Sequence, residues 1–194
     1  PRTGPRERIA RDFLEVNAAA YGLSRAEAAR LVKDADYANP AGNLHWVRLQ
    51  QRINNRPVFR GEVTVAMTPT GEIARTTGQL AVAIDEREAP KTPIFSAAAA
   101  VSVAAGKIGV NLAPAALVQV ANTDKDDGSV SFQRGPFTDE IKAELMYFPL
   151  GDGSVDLAWS VVLWTKEAAY WSIVGASSGE RLFQKNLSSS VVNT

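Results

Sequence analysis

From residue 44 to residue 80, apolar side chains recur at every second position. His45, Val47, Leu49 and Ile53 fall on one parity, and Trp46, Arg48, Gln50 and Arg52 fall on the other. A period of two predicts a strand with one buried face. Asn54-Asn55 follows, and Asn is the non-glycine residue that best tolerates the positive φ of a tight hairpin. The chain returns through Phe59, Gly61, Val63, Val65 and Met67, again on one parity. Thr68-Pro69-Thr70-Gly71 is a second turn signal, since Pro presets φ and Gly closes the turn without steric cost. Residues 72–80 then read as a third, more polar strand. The result is an antiparallel meander with one apolar face, and that face needs a cover.

The cover is predicted upstream. Ile9, Phe13, Val16 and Ala20 lie at helical spacing, with Leu14 beside them, which predicts a helix over 6–20. Gly22 stands where a C-terminal cap belongs. Ser24-Arg25-Ala26-Glu27 is a capping-box pattern for a second short helix to about residue 33, and 34–43 reads as turns. Asp85-Glu86-Arg87-Glu88, Pro90 and Pro93 mark a linker. Ser96 can cap an alanine-rich helix to about residue 108, with Gly109 ending it. Strands are then expected over 115–120, 130–132, 142–148, 155–164, 170–174 and 181–185. Gly151-Asp152-Gly153, Lys166-Glu167 and Ala176-Ser177-Ser178-Gly179 are the turns, and 122–128 is a polar loop. The second half repeats the plan of the first, a helix and then a meander. The fold class expected is α+β.

The bulk numbers add constraints. The chain has 194 residues, of which 45% are hydrophobic and 22% charged. That is an ordinary composition for a globular core, with room for two small lobes. Its 21 basic residues balance 21 acidic ones, so nucleic acid is not expected as a partner. The apolar run at 95–105 is shorter than the roughly 20 residues a membrane span needs. The chain starts at Pro1 rather than Met and shows no signal peptide, and it reads as a processed fragment whose targeting segment is lost. There is no cysteine, which removes disulfides, thiol catalysis and thiolate metal sites.

The block QQRINNRPVFRGEVTVAMTPTGEI resembles the FTP module found in propeptides of fungalysin/thermolysin-like metallopeptidases. Its marks are Gln50 and Gln51, the Asn54-Asn55 turn, Pro57 followed by Val58 and Phe59, and then Gly61. The family often has Gly in the turn where this chain has Asn55, and Asn fills the same conformation. Further on, Tyr147 and Pro149, Leu157-Ala158-Trp159, Trp171-Ser172-Ile173-Val174, and Ala176 with Gly179-Glu180 resemble the PepSY-like second lobe of those propeptides. The resemblance covers roughly residues 6–188. It implies two cystatin-like lobes, each a helix packed on an antiparallel meander: an FTP-like lobe over 1–84, a linker over 85–95, a PepSY-like lobe over 96–187, and a tail over 188–194 leading to a missing catalytic domain. Gln50, Gln51, Pro57, Phe59, Gly61, Trp159, Trp171 and Gly179 carry the motif and read as structural.

The resemblance also implies a function. Such a prosegment inhibits a secreted zinc metallopeptidase and assists its folding, so the cognate catalytic domain is the expected partner and the expected location is extracellular. The chain itself is read as non-catalytic, with no cofactor of its own; zinc would belong to the partner. A zinc peptidase of this kind needs His-Glu-x-x-His on a helix, and His45 is the single histidine. Its parity with Val47 and Leu49 makes it a half-buried strand residue. No Gly-x-Ser-x-Gly is present for a serine nucleophile. Asp124-Lys125-Asp126-Asp127-Gly128 puts Lys125 and Arg134 where a calcium loop needs oxygens, so it reads as a solvated loop. Asn186-Leu187-Ser188 fits a glycosylation sequon.

The best candidate for a partner-binding segment is the polar stretch Asn186, Leu187, Ser188, Ser189, Ser190, Val191 and Val192. An ordinary terminus is the other reading of the same residues. The alternative function is a stand-alone secreted module that contacts a cell surface or polysaccharide, which an exposed aromatic row including Trp164 would favour. Trp159 shares the parity of Leu157, Val161 and Leu163 and is expected in the core.

Overall fold

The computed structural model describes residues 5–120 and 128–188. It divides into two compact units, one formed by Pro1–Glu88 with Pro149–Ser154, the other by Ala89–Phe148 with the chain from Val155 on.

The first unit opens with α1, Arg6–Val16. The helix stops four residues short of the expected end because Asn17 intervenes. Its side-chain amide donates to the Phe13 carbonyl at 2.7 Å, which its own backbone amide also uses, the local competition that makes Asn a poor helix interior residue. The chain tightens into a 3-10 turn over Ala18–Tyr21 and ends at Gly22 with φ 71°. The change of pitch takes Ala20 off the predicted stripe, and Val16, still within α1, lies to one side of the buried face centred on Ala10 and Leu14. Ile9, Ala10 and Leu14 are buried, while Val16, expected on that face, is 74% exposed, and Ala20 is exposed too.

The second helix, α2, spans Arg25–Ala29 and carries the predicted capping box between Ser24 and Glu27. It stops well before residue 33. Arg11 on α1 donates to the Ala29 carbonyl at 3.1 Å and also to the Leu31 carbonyl, taking up main-chain groups that the helix end leaves open. The chain then runs straight into strand β1, Val32–Ala38. Sequence reading gives turns for most of this segment. Six of the seven β1 side chains are exposed, and Ala35 is half-buried, so no alternation marks the strand.

The predicted meander follows as β2 (His45–Ile53), β3 (Arg56–Met67) and β4 (Ile73–Gln79). All pairs are antiparallel in the order β1-β2-β3-β4. Asn54 and Asn55 take φ values of 47° and 63°, the left-handed pair that a two-residue hairpin of matching twist requires. Val47, Leu49, Val63, Val65 and Met67 form one face and bury Ile9, Ala10 and Leu14 of α1 together with Leu31.

The second unit begins its helix, α3, at Ala97–Gly106, where the Ser96 hydroxyl accepts from the Ala99 amide at 3.2 Å. Ala100, Val101, Ala104 and Ala105 have no exposed surface, and short side chains let a helix lie close to a sheet. Strands β5 (Val130–Phe132), β6 (Ile141–Pro149), β7 (Val155–Trp164), β8 (Ala169–Gly175) and β9 (Arg181–Asn186) build that sheet in chain order. The helix packs on β7 and β8, and Leu157, Trp159, Val161 and Leu163 all turn inward. The strand expected over 115–120 is absent. Pro114 instead starts a 3-10 turn over Pro114–Ala116, and one isolated bridge, Gln119 to Phe132, follows. The fold is α+β, a helix on an antiparallel meander in each unit.

Gly78 limits what the first meander tolerates. Its φ is 110°, and a Cβ there would come 2.2 Å from the Glu62 carbonyl oxygen. Gly78→Ala is therefore expected to cost at least about 2 kcal/mol through left-handed strain alone, read as a lower urea midpoint with an unchanged denaturant slope.

Candidate partner-contact site

The residues on which the resemblance rests form two internal clamps. In the first unit, the β2–β3 register shifts between Gln50 and Arg52, and Arg60 on β3 sits at φ 54°. A bend of that kind takes carbonyls out of the ladder. Gln50 is buried and its Nε2 donates to the carbonyls of Val58 at 2.9 Å and Gly61 at 3.0 Å. Gln51 points to the other side. Its Nε2 donates to the Ala81 carbonyl and its Oε1 accepts from the Ala81 amide, both at 3.0 Å. The side-chain amide thus stands in for a strand residue and fixes the chain just after β4. Gly61 is small of necessity, because a Cβ would lie 3.0 Å from Gln51 Oε1 and 2.9 Å from Val58 Cβ. Pro57 faces Arg52 across the hairpin, and Phe59 is buried under the Arg60 guanidinium, 5.2 Å above its ring.

In the second unit, Trp159 and Gly179 converge on Phe95, the residue just before the α3 cap. The Phe95 amide donates to the Ala176 carbonyl at 2.6 Å, and the Phe95 carbonyl accepts from Trp159 Nε1 at 2.7 Å. The Phe95 ring lies against Gly179, where an added Cβ would sit 2.6 Å from it. Tyr147, fully buried, donates its hydroxyl to the Pro90 carbonyl at 2.8 Å. Residues 90–95, read from sequence as part of a linker, are thereby held along their length. Sequence reasoning missed Phe95 and Ala81 because each is marked only by its partner, a Trp or Gln distant in the chain. Trp171 donates to the Ser160 hydroxyl at 2.9 Å and meets Phe183 edge to face at 5.4 Å.

The candidate partner-binding stretch starts at the end of β9. Asn186 closes the β8–β9 pairing opposite Tyr170. The Leu187 amide donates to the Ala169 carbonyl at 2.7 Å, the Ser188 hydroxyl accepts from the Ala169 amide at 3.0 Å, and the Ser188 amide donates to Asn186 Oδ1 at 2.9 Å. Ser189, Ser190, Val191 and Val192 lie outside the described residues, as does the acidic loop at 124–127. Trp164 stands 46% exposed on the face of β7 turned away from α3. His45 is half-buried on β2, opposite Met67 on one side and Ala38 on the other.

Among the described residues no group of three or more His, Asp or Glu is placed to hold a metal ion, and no helix is long and apolar enough to cross a membrane. An open hollow of about 360 Å³ in the second unit has Ile108, Val110 and Phe137 on its walls and Lys166, Glu167 and Tyr170 as its titratable groups. The perturbed carboxylates serve structure. Hydrogen bonds from Arg11 first, then Lys33, hold Glu7 below the ordinary 4.5; those from the Ser24 hydroxyl and amide hold Glu27 below it. The hydroxyl and then the amide of Ser154 lower Asp152 in the β6–β7 turn.

The geometry defines an α+β protein whose motif residues act as internal braces. No protein-family profile matches the sequence, and no curated protein matches it. Among solved structures, the chain is similar to the Bacillus megaterium YpeB C-terminal domain, at 11% identity and a TM-score of 0.40 over 96% of this chain and 67% of that one. A likeness at that level carries no argument about function.

Two outcomes follow from the braces and the lowered carboxylates. Gln51→Ala removes both bonds to Ala81 and is expected to cost about 1–3 kcal/mol, measured by urea unfolding, with faster hydrogen exchange at the Ala81 amide. Glu7 and Glu27 are more acidic folded than unfolded, so their contribution is present above 4.5 and is lost as pH falls from there through the lower folded values. The melting temperature should decline below pH 4.5, and the double variant Glu7→Gln with Glu27→Gln should flatten that decline.

Proposed function

We propose that this chain is the prosegment of a secreted zinc metallopeptidase, keeping the enzyme latent and assisting the folding of its catalytic domain. The observation that carries the reading is the order and spacing of the motif residues: the Gln50-Gln51 pair with Gly61, then Trp159 and Gly179. Gln50, Gln51 and Trp159 hydrogen-bond the backbone of their own unit, and Gly61 and Gly179 leave room for side chains packed against them, as parts of a folding scaffold would. The rest of the reading comes from the family resemblance. A scaffold that binds the native catalytic domain in preference to its unfolded chain stabilises the native form by mass action, and the same binding blocks the cleft if a segment lies in it uncut. The stretch from Asn186 on is that segment in this reading, since its first residues are anchored on β8. Zinc and catalysis belong to the partner.

The test adds the purified chain to the mature peptidase encoded in the same precursor and titrates residual activity. Inhibition should be complete near one equivalent, and refolding of the denatured catalytic domain should recover activity only when the chain is present. Truncation before Asn186 should abolish inhibition while leaving the chain folded by circular dichroism. Absence of both inhibition and assisted refolding rejects the reading.

The exposure of Trp164 favours a second reading, a stand-alone secreted module that stacks this ring on a polysaccharide. Retention on an insoluble glycan that is lost in Trp164→Ala, without any effect on a peptidase, would select it.

A further inference from the structure

Among the described residues, β1, β4 and β9 each pair with a strand on one side only. Such a strand leaves a row of amides and carbonyls that another chain can use, and native proteins guard these edges with bulges, charges and kinks. The edge at β1 is guarded. Its register shifts between Lys33 and Ala35, and Lys33, Asp34 and Asp36 are tied to Glu7, Arg48 and Arg6. The edge at β4 is guarded as well. Its register shifts at both ends of the pairing with β3, Gly78 kinks it at φ 110°, and every side chain from Arg75 to Gln79 is polar or absent.

The edge at β9 is different. Its one register shift lies at Leu182, near the start of the strand; from Phe183 to Asn186 the pairing with β8 is unbroken, and Leu182 and Phe183 are half-buried rather than covered. The bond from the Leu187 amide to the Ala169 carbonyl sets the phase of the ladder. Bonded pairs alternate in antiparallel sheet, so Phe183 and Lys185 direct their main-chain groups at β8, while the Gln184 amide and carbonyl and the Leu182 carbonyl point outward. Arg181 and Lys185 are exposed on this strand. Arg181 donates to the neutral Gln184 side chain, and among the described residues neither cation forms an ion pair.

We propose that the outer edge of β9 is where the partner adds a strand: an extended segment of the catalytic domain pairs with Leu182 and Gln184 and carries acidic residues against Arg181 and Lys185. Main-chain bonds along an open edge give attachment, and the side chains that meet on alternate positions give selectivity. The cations argue for an anionic partner strand over a second copy, which would bring two more cations to the same edge. This inference rests on the prosegment reading and deepens it by locating the contact on a strand, beside the segment that starts at Asn186.

The test is amide hydrogen exchange on the chain alone and in complex with the mature peptidase encoded in the same precursor. The Gln184 amide should exchange at least about tenfold more slowly in the complex, while the amides of β1 and β4 keep their free rates. Lys185→Glu should weaken inhibition at least about tenfold at low salt and less at high salt. Gln184→Pro, which removes one outward donor and none of those facing β8, should weaken it further while circular dichroism stays unchanged. If the complex forms and inhibits but the Gln184 amide exchanges at its free rate, the edge inference is overturned and the prosegment reading stands. If no complex forms, both fall. Protection that grows with the concentration of the chain alone assigns the edge to self-association and overturns the proposal.

Discussion

Where the third strand bends at residues 58–61, two carbonyls leave the ladder, and the Gln50 side chain takes them both. A buried main-chain group without a partner costs as much as a lost hydrogen bond or more, so a sheet can bend under a helix only if something satisfies the groups the bend exposes. The same constraint recurs in this protein with different residues. Gln51 completes the backbone at Ala81, Arg11 takes the carbonyls at the end of α2, and Trp159 takes the Phe95 carbonyl at the start of α3. The helix-on-meander packing of each unit depends on these side chains as much as on the apolar faces they flank.

The braces bear on how function is read. Residues that a family motif marks are easily taken for a binding surface. Here Gln50, Trp159 and Tyr147 are buried and spend their polar atoms on their own backbone. A contact surface for another protein has to be sought among groups that are exposed and not already engaged in this way. The outward main-chain groups of β9, its two cations and the exposed ring of Trp164 meet that condition. The two units also cover their sheets differently. In the first, long side chains of α1 interlock with Val47, Leu49 and Val63; in the second, the short side chains of α3 bring the helix backbone close to β7 and β8.

Much of this was legible in the chain itself. The alternation through Val47 and Leu49, and through Val63, Val65 and Met67, gave the strands, their inward face and the Asn54-Asn55 hairpin, because a period of two and a left-handed turn are local properties. Ser24, Glu27 and Ser96 announced two helix starts for the same reason. The motif residues were legible as a set, whereas the main-chain atoms that Gln50 and Trp159 hold were not.

What tertiary structure alone decided has a common cause. β1 carries no pattern because six of its seven side chains are exposed, and only pairing with β2 makes it a strand. Residues 115–120 carry an apolar run but find only a single bridge, so they stay outside the sheet. Val16 falls on the helical stripe by count and off the buried face in space, since the sheet covers the side of α1 that carries Ala10 and Leu14. Phe95 and Ala81 become fixed points through partners 64 and 30 residues away. Local chemistry determined which segments could be strand, helix or turn; contacts between distant segments chose which of them would be used, because an edge, a bridge or a clamp exists only once both of its sides are in place.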